Sequence, residues 1–386
     1  MLSDFLNAFN DCDILKNKQK IAVAVSGGID SLSLILLANE WSKKYNIKVI
    51  GLTVDHKLRP TSTEEAIYIH NLLNNQYNIE HHILTWISDK PKSNIEAIAR
   101  KARYDLLFDF CKNNNIDTLL LGHHLQDQVE NFFIRLFRGS GIKGLSSMKK
   151  ISNINNIYLI RPFLYFKKED LKNYLIKNQI KWIEDESNNN EAFLRNKIRN
   201  FLNTFDNKEL IFNRINNTIE TIQTANDIIE EQITELENKI ITYDNEYNFY
   251  TIKANDFNKL NEEFQYRLIT KITTSISNLN TLPRFQQFKI LVSKIKDFSN
   301  FKKYTFNLCI FEKISEDEFV CFKEYNSIKD KTNYLKPGEF NQYISFLRKT
   351  DILKCNKIKK FKGYKREILY TIPVEEYKKY RNSLTK

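Results

Sequence analysis

The sequence is poor in cysteine, in proline and in long apolar runs, and each shortage excludes a class of protein. Its five cysteines are scattered, and none of them forms a Cys-x-x-Cys pair, which excludes a zinc knuckle, an iron–sulfur set and a disulfide framework. No run of about 18 apolar residues occurs, so no membrane span is predicted. The first residues have neither the basic nor the apolar region of a secretory signal, and we therefore expect a cytoplasmic protein.

The sequence also has fewer acidic residues than basic ones. The 386 residues include 59 Lys and Arg against 47 Asp and Glu, which gives a net charge of +12. Within residues 348–386 alone, thirteen basic residues face four acidic ones. A basic surplus gathered in one segment predicts binding to a polyanion such as a nucleic acid, although a solvated lysine-rich surface would give the same composition.

Apolar runs in the first 210 residues alternate with helical patterns. Five short runs have the composition of buried strands, at residues 21–25, 48–54, 79–84, 118–122 and 157–161. Ser62 and Glu65 have the spacing of a capping box, which would start the helix after the second strand. The alternation predicts an α/β fold with a doubly wound, parallel, five-stranded sheet, whose ligands bind at the carboxyl ends of the strands.

The pattern changes near residue 210. Isoleucines at steps of three, four and seven predict a long amphipathic helix from Ile211 to Ile240, and further helical patterns follow. Alternating residues at 304–314 and 319–325 predict a β-hairpin. We therefore predict three regions: residues 1–210, a mainly helical domain at 211–325 that ends in the hairpin, and a small basic α+β region at 326–386.

The loop after the first strand has the composition of a phosphate site. Gly27 and Gly28 allow backbone N–H groups at a helix N-terminus to approach an anion, and Ser26 and Ser31 add hydroxyl donors. Asp30 cannot hold a phosphate, so its expected partner is Mg²⁺ that bridges to a nucleotide. The loop is not a Walker loop, because no Gly-Lys-Ser/Thr follows. A plain tight turn is the alternative.

A second polar group follows the fourth strand. His123, Asp127 and Glu130 are spaced 0, +4 and +7, as on one face of a helix. Two carboxylates and an imidazole fit a metal site, a pocket for an ammonium group or a solvated helix face. The preceding helix carries Arg103 on the same face as Glu96 and Arg100, where an exposed Glu–Arg pair is the plain interpretation.

Two basic stretches complete the candidate residues. Residues 139–144 match Gly-x-Gly-x-x-Gly, but they follow a helix rather than a strand, which excludes a dinucleotide-binding turn. This loop, with Arg138 before it, is predicted to lie against substrate phosphate or ribose, and a plain connector is the alternative. Arg195 and Arg199 share a helical face and are able to bind phosphates.

Taken together, these strings resemble tRNA(Ile)-lysidine synthetase, a family of N-type ATP pyrophosphatases. The pyrophosphate loop Ser26–Ser31 alone indicates only the superfamily. The specific set adds Val54–Pro60, Ala99–Tyr104, Gly122–Asn131, Phe137–Gly141, Glu184–Asn188 and Arg195–Arg199, so that the match covers roughly residues 15–205. Lys57 stands where the family usually has glycine, and Glu186 where it usually has proline.

The resemblance implies an adenine nucleotide alpha-hydrolase-like fold and a reaction in two steps. ATP activates the C2 carbonyl oxygen of the wobble cytidine in tRNA(Ile) with the anticodon CAU, and pyrophosphate leaves. The amine of free L-lysine then attacks C2 and expels AMP, giving lysidine. ATP, Mg²⁺, lysine and this tRNA are the expected cofactors and partners. A homodimer is retained as a candidate assembly.

The resemblance also assigns roles to residues. ATP is expected to bind to the loop and to the end of the second strand, through Ser26, Gly27, Gly28, Ile29, Asp30, Ser31, Thr53 and Asp55. The expected lysine site has Asp127 and Glu130 for the ammonium groups and Arg103 for the carboxylate, with His123 near the attacked base. Phosphate groups of the tRNA are assigned to Arg138, Arg195 and Arg199. Residues 1–210 become the catalytic domain, and the two later regions become tRNA-binding regions.

Three other functions fit parts of the sequence. A tRNA thiolase would use the same loop but needs a cysteine or an iron–sulfur centre to carry sulfur, and Cys111 has no partner cysteine nearby in the sequence. A synthetase of NAD or GMP would not need the basic C-terminal region. A catalytically silent tRNA-binding module would not need the intact loop and the carboxylates.

Overall fold

The computed structural model describes residues 2–87, 95–184, 194–245, 249–277 and 283–324. The chain divides into two compact units, Met1–Asp227 and Ile228–Lys386. The predicted basic region 326–386 and the Asp185–Asn188 string lie outside the described residues, as does the side chain of Glu96. Among the described residues, no helix combines the length and the apolarity that a membrane crossing requires.

The first unit is built on one mixed sheet. Its strands are β1 (Lys20–Ala24), β2 (Lys48–Asp55), β3 (Glu80–Thr85), β4 (Thr118–Leu120), β5 (Ile151–Ile154) and β6 (Ile157–Ile160). They lie in the order β3-β2-β1-β4-β6-β5, and all neighbours are parallel except β5 and β6. The predicted parallel α/β sheet is thus confirmed, with β1 at its centre.

The prediction of five strands was wrong by one. The sixth strand, β5, pairs with β6 in an antiparallel hairpin at the edge of the sheet. Asn155 and Asn156 connect the two strands with φ values of 54° and 65°, the left-handed conformation of a tight hairpin turn. Most of β5 is exposed, so it lacks the apolar pattern that reveals a buried strand.

Helices cover both faces of this sheet. The helices that begin in this unit are α1 (Leu2–Asn10), α2 (Asp13–Lys16), α3 (Ile29–Lys43), α4 (Ser62–Asn71), α5 (Ile95–Asn113), α6 (Leu125–Phe137), α7 (Ile142–Leu145), α8 (Lys168–Lys177), α9 (Leu194–Asn203), which packs on α6, and α10 (Lys208–Ile240), which extends into the second unit. On one face, α1 and α3 bury Phe5, Phe9 and Trp41 together with Phe163. On the other, α5 packs Leu107 against the sheet.

The helix after β2 begins differently from the prediction. Thr61, not Ser62, is the N-cap of α4, and the hydroxyls of Ser62 and Thr63 donate to Asp55. The helix continues as a π-helical turn, Leu72–Gln76. Lys57, at the position of the family's usual glycine, has a φ of 49°, so it adopts the backbone conformation that glycine favours, at a cost of roughly 1 kcal/mol.

The second unit packs helices on an antiparallel sheet. Its elements after α10 are β7 (Ile241–Asp244), β8 (Phe249–Lys253), α11 (Ala254–Lys259), α12 (Glu262–Ser277), α13 (Phe285–Lys296), β9 (Lys303–Phe306), β10 (Cys309–Lys313) and β11 (Glu318–Lys323). The strand order is β7-β8-β11-β10-β9. The predicted hairpin is present as β10 and β11, but a turn at Asn307 and Leu308, both with positive φ, separates β9 as a strand of its own.

Candidate active site

The loop between β1 and α3 is held by its own serine hydroxyls. The backbone N–H of Ser26 donates to Oγ of Ser31 (3.0 Å), which in turn donates to the carbonyl of Gly28 (3.2 Å). Gly27 has a φ of 85°, and a Cβ there would lie 2.7 Å from Cδ1 of Ile183. Gly28 is the N-cap of α3. Because glycine has no side chain to bind them, the first N–H groups of α3 are left for an anionic ligand.

His124 connects this loop to the acidic start of α6. Its Nε2 lies 3.5 Å from Oδ1 of Asp30 and 3.4 Å from Oδ2 of Asp127. Burial alone would lower the pKa of His124, but the carboxylates of Asp127 and Asp30 outweigh it and raise the pKa above its usual value. Gly122 allows the approach, since a Cβ there would lie 3.0 Å from the backbone carbonyl of Asp30.

Two arginines of α9 bind the carboxylates of α6. Arg195 donates from Nε to Oε2 of Glu130 (2.6 Å) and from a terminal nitrogen to Oδ1 of Asp127 (2.9 Å). Arg199 donates from Nε to Oε1 of Glu130 (2.8 Å). The carboxylate of Glu130 is almost fully buried. The two side chains that the sequence assigns to phosphate contacts therefore neutralise the two that it assigns to lysine.

Arg103 lies beside this cluster on α5. Burial lowers the pKa of its guanidinium group, and the positive charges of Arg100 and Arg195 lower it further. Both Arg100 and Arg103 are within 6 Å of the ring of Tyr104, at 5.3 and 5.6 Å. Arg103 therefore lies in a buried, positively charged surrounding, and its assignment to a carboxylate stays a prediction.

His123 occupies a different position from the predicted one. The helix begins at Leu125, so His123 precedes it and does not share its face with Asp127 and Glu130. Burial lowers the pKa of His123 to about 3, although Asp127 opposes the shift. At neutral pH its imidazole is therefore uncharged, whereas His124 is the histidine in contact with both Asp30 and Asp127.

The polar side chains at the end of β2 are bonded within the protein. Asp55 accepts from the backbone of Lys57 (3.0 Å) and from the hydroxyls of Ser62 (2.9 Å) and Thr63 (2.8 Å). Burial alone would raise the pKa of Asp55, but these hydrogen bonds lower it. Thr53 donates to the carbonyl of Val25 (2.8 Å), directly before the loop.

Two histidines extend the hydrogen-bond network of Thr53. Since the Thr53 hydroxyl donates to Val25, it accepts from Nε2 of His81 (2.8 Å), and Nδ1 of His81 then accepts from Nδ1 of His70 (3.2 Å). His81 is buried, and burial lowers its pKa to about 4, assisted by His70 and His82. This chain of neutral donors and acceptors fixes the backbone that enters the loop.

The pKa of His81 predicts a pH-dependent stability. The unfolded chain protonates this imidazole below its ordinary pKa of 6.5, whereas the folded chain does so only near 4, so the free energy of unfolding falls as the pH drops between these values. From pH 7 to pH 5 the loss from His81 alone is about 2 kcal/mol. Urea unfolding of the wild type and of His81→Gln measures it, because only the wild type should lose this amount. If the free energies of unfolding of the two proteins changed equally with pH, the lowered pKa would not belong to His81.

The remaining candidates lie at the far end of α6 and in α5. Arg138 is exposed at the C-cap of α6, and the glycine-rich stretch after it contains the short helix α7. Cys111 is buried against the sheet, and burial raises the pKa of its thiol to about 12. A thiol with this pKa carries almost no thiolate at neutral pH, which disfavours the thiolase alternative.

The structure thus brings together Asp30, Asp127, Glu130, Arg195 and Arg199, with Arg103 beside them. It does not place His123 on their helical face. The residue that sequence reasoning missed is His124, although its spacing of three from Asp127 was available as a signal. In the helix start, the backbone N–H of His124 donates to Oδ2 of Asp127 (3.1 Å), so Asp127 also caps α6.

The chain is similar in sequence to known proteins. Residues 2–205 match the model of a PP-loop domain family. The chain is 34% identical to the tRNA(Ile)-lysidine synthase of Orientia tsutsugamushi (strain Boryong), over 92% of this chain and 86% of that protein. It is 36% identical to the tRNA(Ile)-lysidine synthase of Rickettsia prowazekii (strain Madrid E), over 82% and 72%. Among solved structures, the U34-tRNA thiolase NcsA from Methanococcus maripaludis aligns at 19% identity with a TM-score of 0.49, covering 56% of this chain and 79% of that one.

Proposed function

The chain belongs to the tRNA(Ile)-lysidine synthase family, and we propose that it joins lysine to C2 of the wobble cytidine in tRNA(Ile) with the anticodon CAU, at the expense of ATP. The observation that carries the proposal is the position of His124, within 3.5 Å of a carboxylate of the loop and of a carboxylate of α6. An ATP site and a site for a cationic nucleophile would then be adjacent, as the transfer of an activated group requires.

In the first step the loop Ser26–Ser31 binds the phosphates of ATP. Backbone N–H groups at the start of α3 donate to the phosphate oxygens and stabilise the charge that develops on the departing pyrophosphate. The hydroxyl of the exposed Ser26, which lies 3.2 Å from Oγ of Ser31, turns from Ser31 to donate to the phosphate as well. The C2 oxygen of the cytidine attacks the α-phosphorus, and the bond to the β-phosphate oxygen breaks. The hydroxyl of Thr53 is bonded to Val25 and His81, so its part is to hold the strand end in place.

Asp30 fits a Mg²⁺ site. Its Oδ1 is buried and lies 3.5 Å from Nε2 of His124, too far for a good hydrogen bond, while the side chain as a whole remains 27% exposed beside the loop. The described residues contain no group of three or more side chains that would hold a metal by themselves. One carboxylate that shares the ion with substrate phosphates is the usual arrangement for Mg²⁺. When bound, the ion would neutralise phosphate charge.

In the second step Asp127 and Glu130 bind the ammonium group of lysine, and Arg103 binds its carboxylate. The α6 carboxylates are already neutralised by Arg195 and Arg199, so an incoming ammonium group has to share or displace a guanidinium group. The amino group of lysine that attacks C2 does so in its unprotonated form, after its proton has passed to solvent. The C–N bond forms, the C2–O bond breaks with AMP as the leaving group, and the nitrogen releases one further proton to solvent. The proposal includes L-lysine as the nucleophile and Mg²⁺ as the metal. It also includes a homodimer, and light scattering measures the molar mass that would show it.

Mass spectrometry of nucleosides tests the function. Unmodified CAU-anticodon tRNA(Ile) is incubated with the protein, ATP, Mg²⁺ and lysine, and then digested. We expect a lysidine peak that disappears when any one component is left out. Formation of AMP with tRNA but without lysidine would overturn lysine as the nucleophile. The absence of AMP would overturn the ATP-dependent reaction itself.

A further inference from the structure

A row of aromatic rings lies beside the candidate active site on α6, on α9 and directly after α9, and all of them except the half-buried Phe133 are exposed. We call it the aromatic strip, and it consists of Phe133, Phe137, Phe201 and Phe205. The ring centroids are 5.9 Å apart between Phe133 and Phe137, 6.1 Å between Phe133 and Phe201, and 5.3 Å between Phe201 and Phe205. Phe137 is 60% exposed and Phe201 is 46% exposed. Exposed aromatic rings in contact with one another are unusual on a protein surface unless a partner covers them.

The strip and the ion-pair cluster share two helices. On α6, Phe133 and Phe137 follow Glu130 at +3 and +7, and on α9, Phe201 follows Arg199. The rise of an α-helix puts Phe137 about 10 Å along the axis from Glu130. This is the length of about three steps of a stacked nucleic-acid strand, at ~3.4 Å each. Nucleotides next to the reacting base would therefore reach the strip.

The charges around the strip favour an anionic partner. Residues 131–145, which include the second half of α6, contain Arg135, Arg138 and Lys143 and no acidic residue. Helix α9 contains Arg195, Lys197 and Arg199 and no acidic residue. Arg195 and Arg199 are paired with the carboxylates of α6, so Lys197 is the basic residue of this helix that adds charge beside the strip, and Asp206 follows Phe205. An apolar surface whose flanking residues include more cations than anions matches a single-stranded nucleic acid, whose bases stack on aromatic rings while its phosphates bind arginine.

We propose that the aromatic strip stacks unpaired bases of the anticodon loop that flank the wobble cytidine, with Arg138 binding the adjoining phosphate. The inference rests on the proposed function, because that function supplies the RNA. Stacking does not depend on base identity, so the strip orients the loop and leaves recognition of the cytidine to the active site.

Binding of a synthetic anticodon stem–loop with the CAU sequence, without ATP or lysine, tests the strip. We expect Phe137→Ala and Phe201→Ala each to raise its Kd about 10-fold. Phe137→Trp should stay close to the wild type, since tryptophan restores the stacking surface. The matched control is Ile176→Ala on α8, which is 53% exposed and away from the site, and its Kd should not change. A fully paired RNA duplex should bind equally to all four variants, because its base faces are covered.

Three results would overturn the proposal. The first is a change of less than 2-fold in both alanine variants that keep the melting temperature of the wild type. The second is an equal loss of binding to the duplex, which would assign the strip to general RNA affinity. The third is a dimer in the wild type that Phe137→Ala dissociates, which would make a second copy of the chain the partner. None of these binding assays needs lysidine formation. If the proposed function alone were wrong, the phenylalanine variants would still weaken binding of the stem–loop, but no lysidine would form.

Discussion

Replacing Asp30 by alanine is expected to reduce pyrophosphate release in the presence of tRNA by roughly 10³-fold, the largest effect that we expect of any single substitution in this chain. Asp30 is the carboxylate of the loop, and its buried Oδ1 lies 3.5 Å from Nε2 of His124. Its removal takes away the proposed Mg²⁺ ligand and the negative charge that helps to raise the pKa of His124.

Release of labelled pyrophosphate from ATP measures this effect. The matched control is Asp13→Ala, which removes a highly exposed aspartate that forms an ion pair with Lys16 at 2.7 Å. The control should retain the wild-type rate. If Asp30→Ala folds normally and releases pyrophosphate at more than about a tenth of the wild-type rate, Asp30 does not have the proposed role.

Replacing Glu130 by glutamine should separate the two steps of the reaction. We expect the KM for lysine to rise roughly 30-fold or more, because a buried charge that would bind the ammonium group is lost. The rate of tRNA-dependent pyrophosphate release should change little, since that step precedes lysine attack. Glutamine keeps the size of the side chain and one carbonyl acceptor for Arg195 and Arg199.

A matched control exists for this change as well. Glu209→Gln removes a carboxylate that forms an exposed ion pair with Lys167, and its kinetics should equal those of the wild type. A variant Glu130→Gln that shows an unchanged KM for lysine and a slower first step would instead assign Glu130 to the positioning of Arg195. The two assignments therefore predict changes in different kinetic parameters.

The first unit was largely predictable, because buried parallel strands are continuous apolar runs. The runs at β1, β2, β3, β4 and β6 gave the order of the elements and the class of the sheet. β5 was not predictable in this way, since an edge strand exposes most of its residues. The N-cap of α4 was predicted wrongly for another reason. Ser62 and Thr63 are residue types that commonly cap helices, but their hydroxyls donate to Asp55 and the helix is capped at Thr61.

The candidate site was predictable in its residue types and less so in its contacts. Spacing along one helix placed Asp127 and Glu130 together, because a helix has a fixed period. It could not show that Arg195 and Arg199 approach them, since those residues are 65 to 69 positions away along the chain. The choice between His123 and His124 depended on whether the helix began one residue earlier or later, and helix ends are the least certain part of any such pattern.

The ion pairs between α9 and α6 also determine when, during synthesis of the chain, the candidate active site has all of its charged residues. The ribosome delivers Glu130 long before Arg195 and Arg199, and until α9 docks the carboxylate has no guanidinium partner. An ionised carboxylate without a partner stays in water, so the start of α6 would remain loosely packed in the nascent chain. His124 is the N-cap of α6 and contacts Asp30 of the loop, so this contact would be lost with it. A fragment that ends before α9 would therefore lack an ordered nucleophile site and also the contact that connects this site to the ATP loop.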